Sequence, residues 1–187
     1  MKKLKLKNQK GFTILESIVA ILILSLAISG AFSAVQQSLS QSIIAKDEVK
    51  AFFLAQEAVE IIRNKRESNQ LAKINALPNT WLTNIAEKPS DPCYFGKICL
   101  TDSSSMSFVS CGVAWNSCPN LKQDSSSFLY NYSVGDDTNF KREIQLEPVS
   151  YDDLGNLREI SVTVRITWNK GAINKEFKIK TLLFNWI

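Results

Sequence analysis

Three sets of residues have types and spacings that could do chemistry, and each points to a different kind. Glu16 is the one charge in the apolar run from Phe12 to Val35, which contains no proline. An acid at membrane depth costs on the order of 2–3.5 kcal/mol on insertion scales if it cannot reach the interface, so a positive group should compensate it. Four cysteines sit in two local pairs, Cys93/Cys99 and Cys111/Cys118. In a chain exported beyond a membrane, an even count points to disulfides, whereas zinc wants pairs at tighter C-x2–4-C spacing. Four cysteines allow three connectivities, of which the local one, 93–99 and 111–118, is favoured. Finally, Asp136-Asp137 and Asp152-Asp153 lie near Gly135 and Gly155. Hard oxygen ligands suit calcium, but neither loop has enough acids at calcium-loop spacing, and Asp-Asp-x-Gly serves better as a turn between strands.

Other chemistry is excluded. The chain has no histidine, which removes the commonest general base and the usual catalytic zinc ligands. No G-x-S-x-G, P-loop or G-x-G-x-x-G occurs, so no catalytic residue is nominated and the chain reads as a non-enzyme without metal or cofactor. Asn131-Tyr132-Ser133 fits a glycosylation sequon, a triplet common by chance. The net charge of +4 is more than accounted for by Lys2, Lys3, Lys5, Lys7 and Lys10. It therefore describes the N-terminal stretch alone, on the side the positive-inside rule assigns to the cytoplasm, and it does not indicate nucleic acid.

The element that positions Glu16 is a helix. At ~1.5 Å per residue, the stretch 12–35 is about 36 Å long, enough to cross a hydrocarbon core of ~30 Å with some tilt. Residues 1–11 are too polar to insert and serve recognition and orientation. Ser25, Ser29, Gly30, Ala31, Ser33 and Ala34 give the second half of the span small surfaces on which neighbouring helices approach closely. A secretory signal peptide would be cut after its apolar run, and Ala31-Phe32-Ser33-Ala34 offers small residues for that, yet the helical pattern continues through it.

Lys10-Gly11-Phe12-Thr13-Ile14-Leu15-Glu16, with lysines before and an apolar helix after, resembles the leader and N-terminal helix of type IV pilins and pseudopilins. The resemblance implies that a membrane peptidase cuts between Gly11 and Phe12 and methylates the new amine of Phe12. It implies too that Glu16, fifth in the mature chain, assists subunit docking.

Downstream, Leu39, Ile43, Val49, Phe52, Ala55, Val59 and Ile62 recur mostly at three- and four-residue spacing, opposite Lys46, Asp47, Lys50, Gln56, Glu57 and Glu60. This predicts an amphipathic helix over 36–68, continuous with the first, with Arg63, Lys65 and Arg66 suited to the negative end of its dipole. Its stripe needs cover. Phe140, Arg142, Ile144 and Leu146 share one strand face, and Ile160, Val162, Val164, Ile166 and Trp168 another. Asn169-Lys170-Gly171-Ala172 reads as a turn, and the chain returns through Phe177, Ile179, Thr181 and Leu183. Leu182, Phe184 and Trp186 break the alternation, which predicts a bulge or burial on both faces there. An antiparallel meander laid on the helix is an α+β arrangement, and it is also the pilin architecture. Both 51–64 and the hairpin 164–186 resemble those of minor pilins and minor pseudopilins.

The organisation expected is thus a leader (1–11), a transmembrane half-helix (12–35), an amphipathic half-helix (36–68), a loop-rich cysteine-bearing region (69–139) and an antiparallel sheet (140–187). Pro78 should end the helix. Trp81, Tyr94, Phe95, Phe108 and Trp115 keep the middle region from being a disordered linker. The function implied is a minor structural subunit of a type IV pilus or secretion pseudopilus. Its partners would be prepilin peptidase, other pilin subunits and the inner-membrane assembly platform. It would wait in the cytoplasmic membrane as a single-pass protein with its C-terminal part outside, then join a cell-surface or periplasmic filament. The competing reading is a membrane-anchored binding module or adhesin that displays residues 69–139.

Overall fold

No proline occurs before Pro78, and a threonine at position 13 is placed to cap a helix. The computed structural model, which describes residue 11 and residues 13–171 and 173–186, has one α-helix there, α1 (Ile14–Ile74). The chain divides into two units, the first ending at Lys46 and the second beginning at Asp47. In the first unit no described side chain is buried. The helix ends beyond the expected 68. Leu77 N donates to Ala72 O (3.0 Å) and Ala76 N to Lys73 O (3.0 Å), with Ala76 at φ 59°. This is a Schellman ending built on alanine rather than glycine, with Pro78 just beyond to forbid continuation.

In the second unit, α1 covers a seven-stranded antiparallel sheet. Its strands are β1 (Ile98–Asp102), β2 (Ser107–Gly112), β3 (Asn120–Gln123), β4 (Tyr130–Asn131), β5 (Asp136–Tyr151), β6 (Leu157–Lys170) and β7 (Ile173–Phe184). One edge of β5 pairs with β6, which pairs with β7. The other edge is shared, with Ile144 and Gln145 paired to β1 and the stretch 136–141 paired to β3. The strands of the middle region therefore join the same sheet as the C-terminal meander. The α+β architecture expected from the sequence is the one observed.

The buried stripe of α1 is not quite the expected one. Ala51, Leu54, Ala55, Ala58, Val59 and Ile62 are buried, whereas Val49 and Phe52 are exposed. Alanines let the helix backbone lie close to the branched side chains of Ile144, Leu146, Val162 and Val164, where a valine–phenylalanine stripe would hold it off. Phe52 instead meets Phe177 edge to face, with ring centroids 6.0 Å apart. Arg66 is not a dipole-end cation either, since Lys73 occupies the last turn. It is buried, donates to Phe184 O (3.3 Å) and lies 4.8 Å over the Trp186 ring. Asn69 donates to the carbonyls of Trp81 (3.3 Å) and Thr83 (2.9 Å), which fastens the turns that bury Trp81, Leu82 and Ile85.

Alternation in β6 places Ile160, Val162, Val164, Ile166 and Trp168 in the core. At the end of β7 neither the bulge nor the two-sided burial occurs. Pairing with β6 runs unbroken from Ile173 to Phe184, and Leu182, Phe184 and Trp186 are exposed. Ala172, the last residue of the expected turn, lies outside the described residues. Gly135 is the glycine this fold requires. Its φ is 109°, and a Cβ there would sit 2.2 Å from Gln123 O.

The loop 124–129 is held by Asp124. Its carboxylate accepts from Ser126 N (3.0 Å), Ser126 Oγ (2.9 Å) and Ser127 Oγ (2.7 Å), while Phe128 N donates to Asp124 O (2.8 Å). The backbone N–H of Ser126, then the serine hydroxyls, hold the carboxyl down at about 2, against an ordinary 3.8. A lowered folded value means the anchoring is fully present above about pH 4 and lost as pH falls through about 2. NMR titration of the Asp124 carboxyl should give a midpoint near 2, with amide protection of Ser126 and Phe128 falling over the same range. A midpoint at the ordinary aspartate value would show that the loop is not held this way.

Candidate functional site

The N-terminal segment begins with residues the structure does not describe, since Phe12 and residues 1–10 lie outside it. Gly11 is exposed, and a Cβ built on it would meet nothing within 4 Å. Thr13 opens the helix: Glu16 N donates to Thr13 Oγ1 (3.3 Å), and Ser17 N donates to Thr13 O (3.2 Å). Thr13-Ile14-Leu15-Glu16 has the T-x-x-E order of a capping box, a local signal that charge and hydropathy alone do not reveal. Glu16 therefore sits in the first turn, where the helix dipole favours an anion, on an exposed face.

Beyond Glu16 the helix surface in the first unit is apolar and uncovered. Ile18, Leu22, Leu26 and Phe32 are all more than half exposed. The helix is long and apolar enough to cross a membrane. At about 1.5–3 kcal/mol for each large apolar side chain, leaving this surface in water is untenable, so lipid or other helices must cover it. The apolar N-terminal helix fits a membrane anchor.

In the second unit, two charged side chains besides Arg66 are buried. Arg142 falls on the apolar face of β5, where strand alternation had put it, and its side chain is 0% exposed. It is held by two elements: it pairs with Glu57 and donates to Leu54 O (3.2 Å) on α1, and it donates to Thr101 O (2.7 Å) on β1. Tyr132 OH donates to Arg142 O (3.2 Å), and burial pushes that phenol above its usual range. On the opposite face, Glu143 is also fully buried and pairs with Arg165 (2.8 Å). Isolated, either charge would cost several kcal/mol, and each survives because its partners arrive from other elements.

The cysteines occupy two places. Cys93 is joined to Cys99 (Cα–Cα 5.2 Å) within the main core. Cys111 is joined to Cys118 (Cα–Cα 5.0 Å) in a second cluster with Ile98, Leu100 and Trp115, on the face away from α1. Each closes a short loop and so trims the freedom of the unfolded chain by about 2–3 kcal/mol. Asp152 serves its turn. It accepts from Asn156 N (2.7 Å) and Leu154 N (3.0 Å), and these bonds, the Asn156 side-chain amide first, lower its carboxyl below the usual range. Asp136 and Asp137 pair in β5 with Gln123 and Lys122 of β3. None of these acids is brought toward another to form a ligand cluster among the described residues.

No match was found among curated proteins or among solved structures. Residues 6–32 match the family model described as the prokaryotic N-terminal methylation motif, and this segment takes in Gly11, Phe12, Thr13, Glu16 and the first turns of α1. The chain therefore carries the hallmark of the prepilin-type signal of type IV pilins and pseudopilins, which marks a processed structural subunit rather than an enzyme.

Proposed function

We propose that the chain is a minor subunit of a type IV pilus or a type II secretion-like pseudopilus. Prepilin peptidase cuts it between Gly11 and Phe12 and methylates the Phe12 amine. It is then drawn from the cytoplasmic membrane into a filament of other pilin subunits by the inner-membrane assembly platform. One observation carries this reading: the methylation motif at 6–32 sets its glycine just before the exposed start of an uncovered apolar helix. The fold makes no demand for glycine at position 11, since a side chain there would meet open space. A requirement for glycine would come from outside the chain, from an enzyme that must bring its active site against the backbone. The minor role rests on the resemblance of 51–64 and the last hairpin.

Intact-mass measurement after coexpression with a prepilin peptidase tests the proposal. The expected product is a chain that starts at Phe12 and carries one methyl group on its N-terminus. A start near Ala34 would instead identify an ordinary signal peptide, and an uncut chain a plain membrane anchor.

A further inference from the structure

The face of the sheet opposite α1 is the more informative one. Cross-strand register sets Glu143, Arg165 and Lys178 in one row and Lys141, Thr167 and Glu176 in the next. The loop 112–117, closed by the Cys111–Cys118 disulfide, folds onto the first row. The Trp115 ring lies 4.5 Å from the Arg165 guanidinium and 6.0 Å from Lys178 Nζ. Cys118 N donates to Glu143 Oε1 (3.3 Å), Arg165 donates to Asn116 Oδ1 (2.7 Å), and Lys141 Nζ donates to Asn116 O (2.9 Å). The first row is thereby covered over Glu143 and Arg165. The second is not: it lines an open cleft of about 870 Å³, a size suited to a small ligand.

The chemistry of that cleft is specific. Asn116, Asn120, Asn139, Asn169 and Asn174 all line it, so five amides converge on one depression. The side chains of Asn120, Asn169 and Asn174 make no hydrogen bond to another described residue. An amide offers donors and acceptors side by side, which matches neighbouring hydroxyls on a sugar ring. Lys141 lines the cleft with no carboxylate in ion-pair reach among the described residues, while Glu176 is engaged by Arg165 (3.7 Å) and Lys178 (3.5 Å); Lys175, paired in register with the buried Trp168, belongs to the other face of the sheet. The cleft is therefore left with one uncompensated positive charge. Trp168 also lines it but is buried, and the ring of Trp115 is already stacked on cations. A nucleic-acid strand, which needs exposed aromatic platforms, finds none here.

We infer that this cleft binds an acidic saccharide, with Lys141 meeting its carboxylate and the asparagine amides meeting its hydroxyls. The disulfide-closed loop preorganises one wall, which lowers the cost of ordering on binding. The site stands whether or not the N-terminal segment is processed.

Calorimetric titration of the full chain in detergent micelles tests this, with trigalacturonate and sialyllactose as acidic probes and maltotriose and a single-stranded oligothymidylate as comparators. At least one acidic saccharide should bind saturably and more tightly than either comparator. The double variant Asn120→Ala/Asn174→Ala removes two cleft-lining side chains without internal hydrogen bonds, so it should fold normally and bind about tenfold or more weakly. Lys180→Gln, outside the cleft, should bind like the parent. The inference is overturned by binding of neither acidic saccharide, by binding that survives the double variant, or by tighter binding of the oligonucleotide.

Discussion

Glu16→Leu is expected to insert, fold and be cleaved like the parent chain and yet fail to join filaments. An added apolar residue favours the membrane state, and the second unit, which holds the sheet, does not include position 16. What the variant loses is the charge. In the filament reading, the carboxylate of Glu16 meets the Phe12 amine of an adjacent subunit, which stays cationic after one methylation and lies at about the same depth. In a low dielectric that pair is strong, and removing one partner leaves the other buried and unpaired at a cost of about 3–5 kcal/mol, which is several hundredfold or more in assembly. Position 16 also lies in the first turn of α1, where its backbone N–H, not its carboxylate, bonds to Thr13 Oγ1. Glu16→Gln isolates the charge, because glutamine keeps the size and polarity of the side chain without the charge. Cross-linking through the N-terminal helix and filament yield should be lost in both variants. Wild-type assembly of Glu16→Gln would mean that Glu16 does not dock through its charge.

The second large effect belongs to the buried arginine. Glu57→Ala should destabilise the second unit by about 3–5 kcal/mol, a fall in Tm of roughly 10 °C, because it strands the Arg142 charge in the core with only carbonyl partners. Arg142→Met should cost roughly half as much. It keeps the aliphatic volume and removes the charge. Glu57, whose side chain is 37% exposed, is then free to turn to water, and only the Thr101 and Leu54 carbonyls lose a donor. Urea unfolding followed by tryptophan fluorescence measures both. If Arg142→Met proves the more damaging, packing of the arginine stem matters more than its charge.

Part of the candidate site is legible residue by residue. The Gly11–Glu16 segment, the apolar run after it and the alternation of 160–168 each rest on local rules: a period, a charge, a small residue. The helix cap is legible too, through Thr13, whose hydroxyl accepts from the N–H three residues on. The Leu182–Trp186 stretch misleads because apolar residues do not by themselves imply burial, and β7 leaves Leu182 and Phe184 facing outward.

By itself the sequence determined the elements and their order: a helix unbroken by proline, strands with one apolar face, two local cysteine pairs and a processing signal at the N-terminus. Those arise from backbone geometry acting over a few residues. Only the tertiary structure decided which stripe of α1 is buried, because close approach to branched strand residues selects Ala51, Ala55 and Ala58 over Val49 and Phe52. Only it brought Glu57 to Arg142, 85 residues away in the chain, and set the loop of Trp115 and Asn116 over Arg165. The physical reason is common to these cases. A buried charge or an open polar cleft depends on strand register and on which distant groups arrive beside it, and no local period in the chain encodes that meeting.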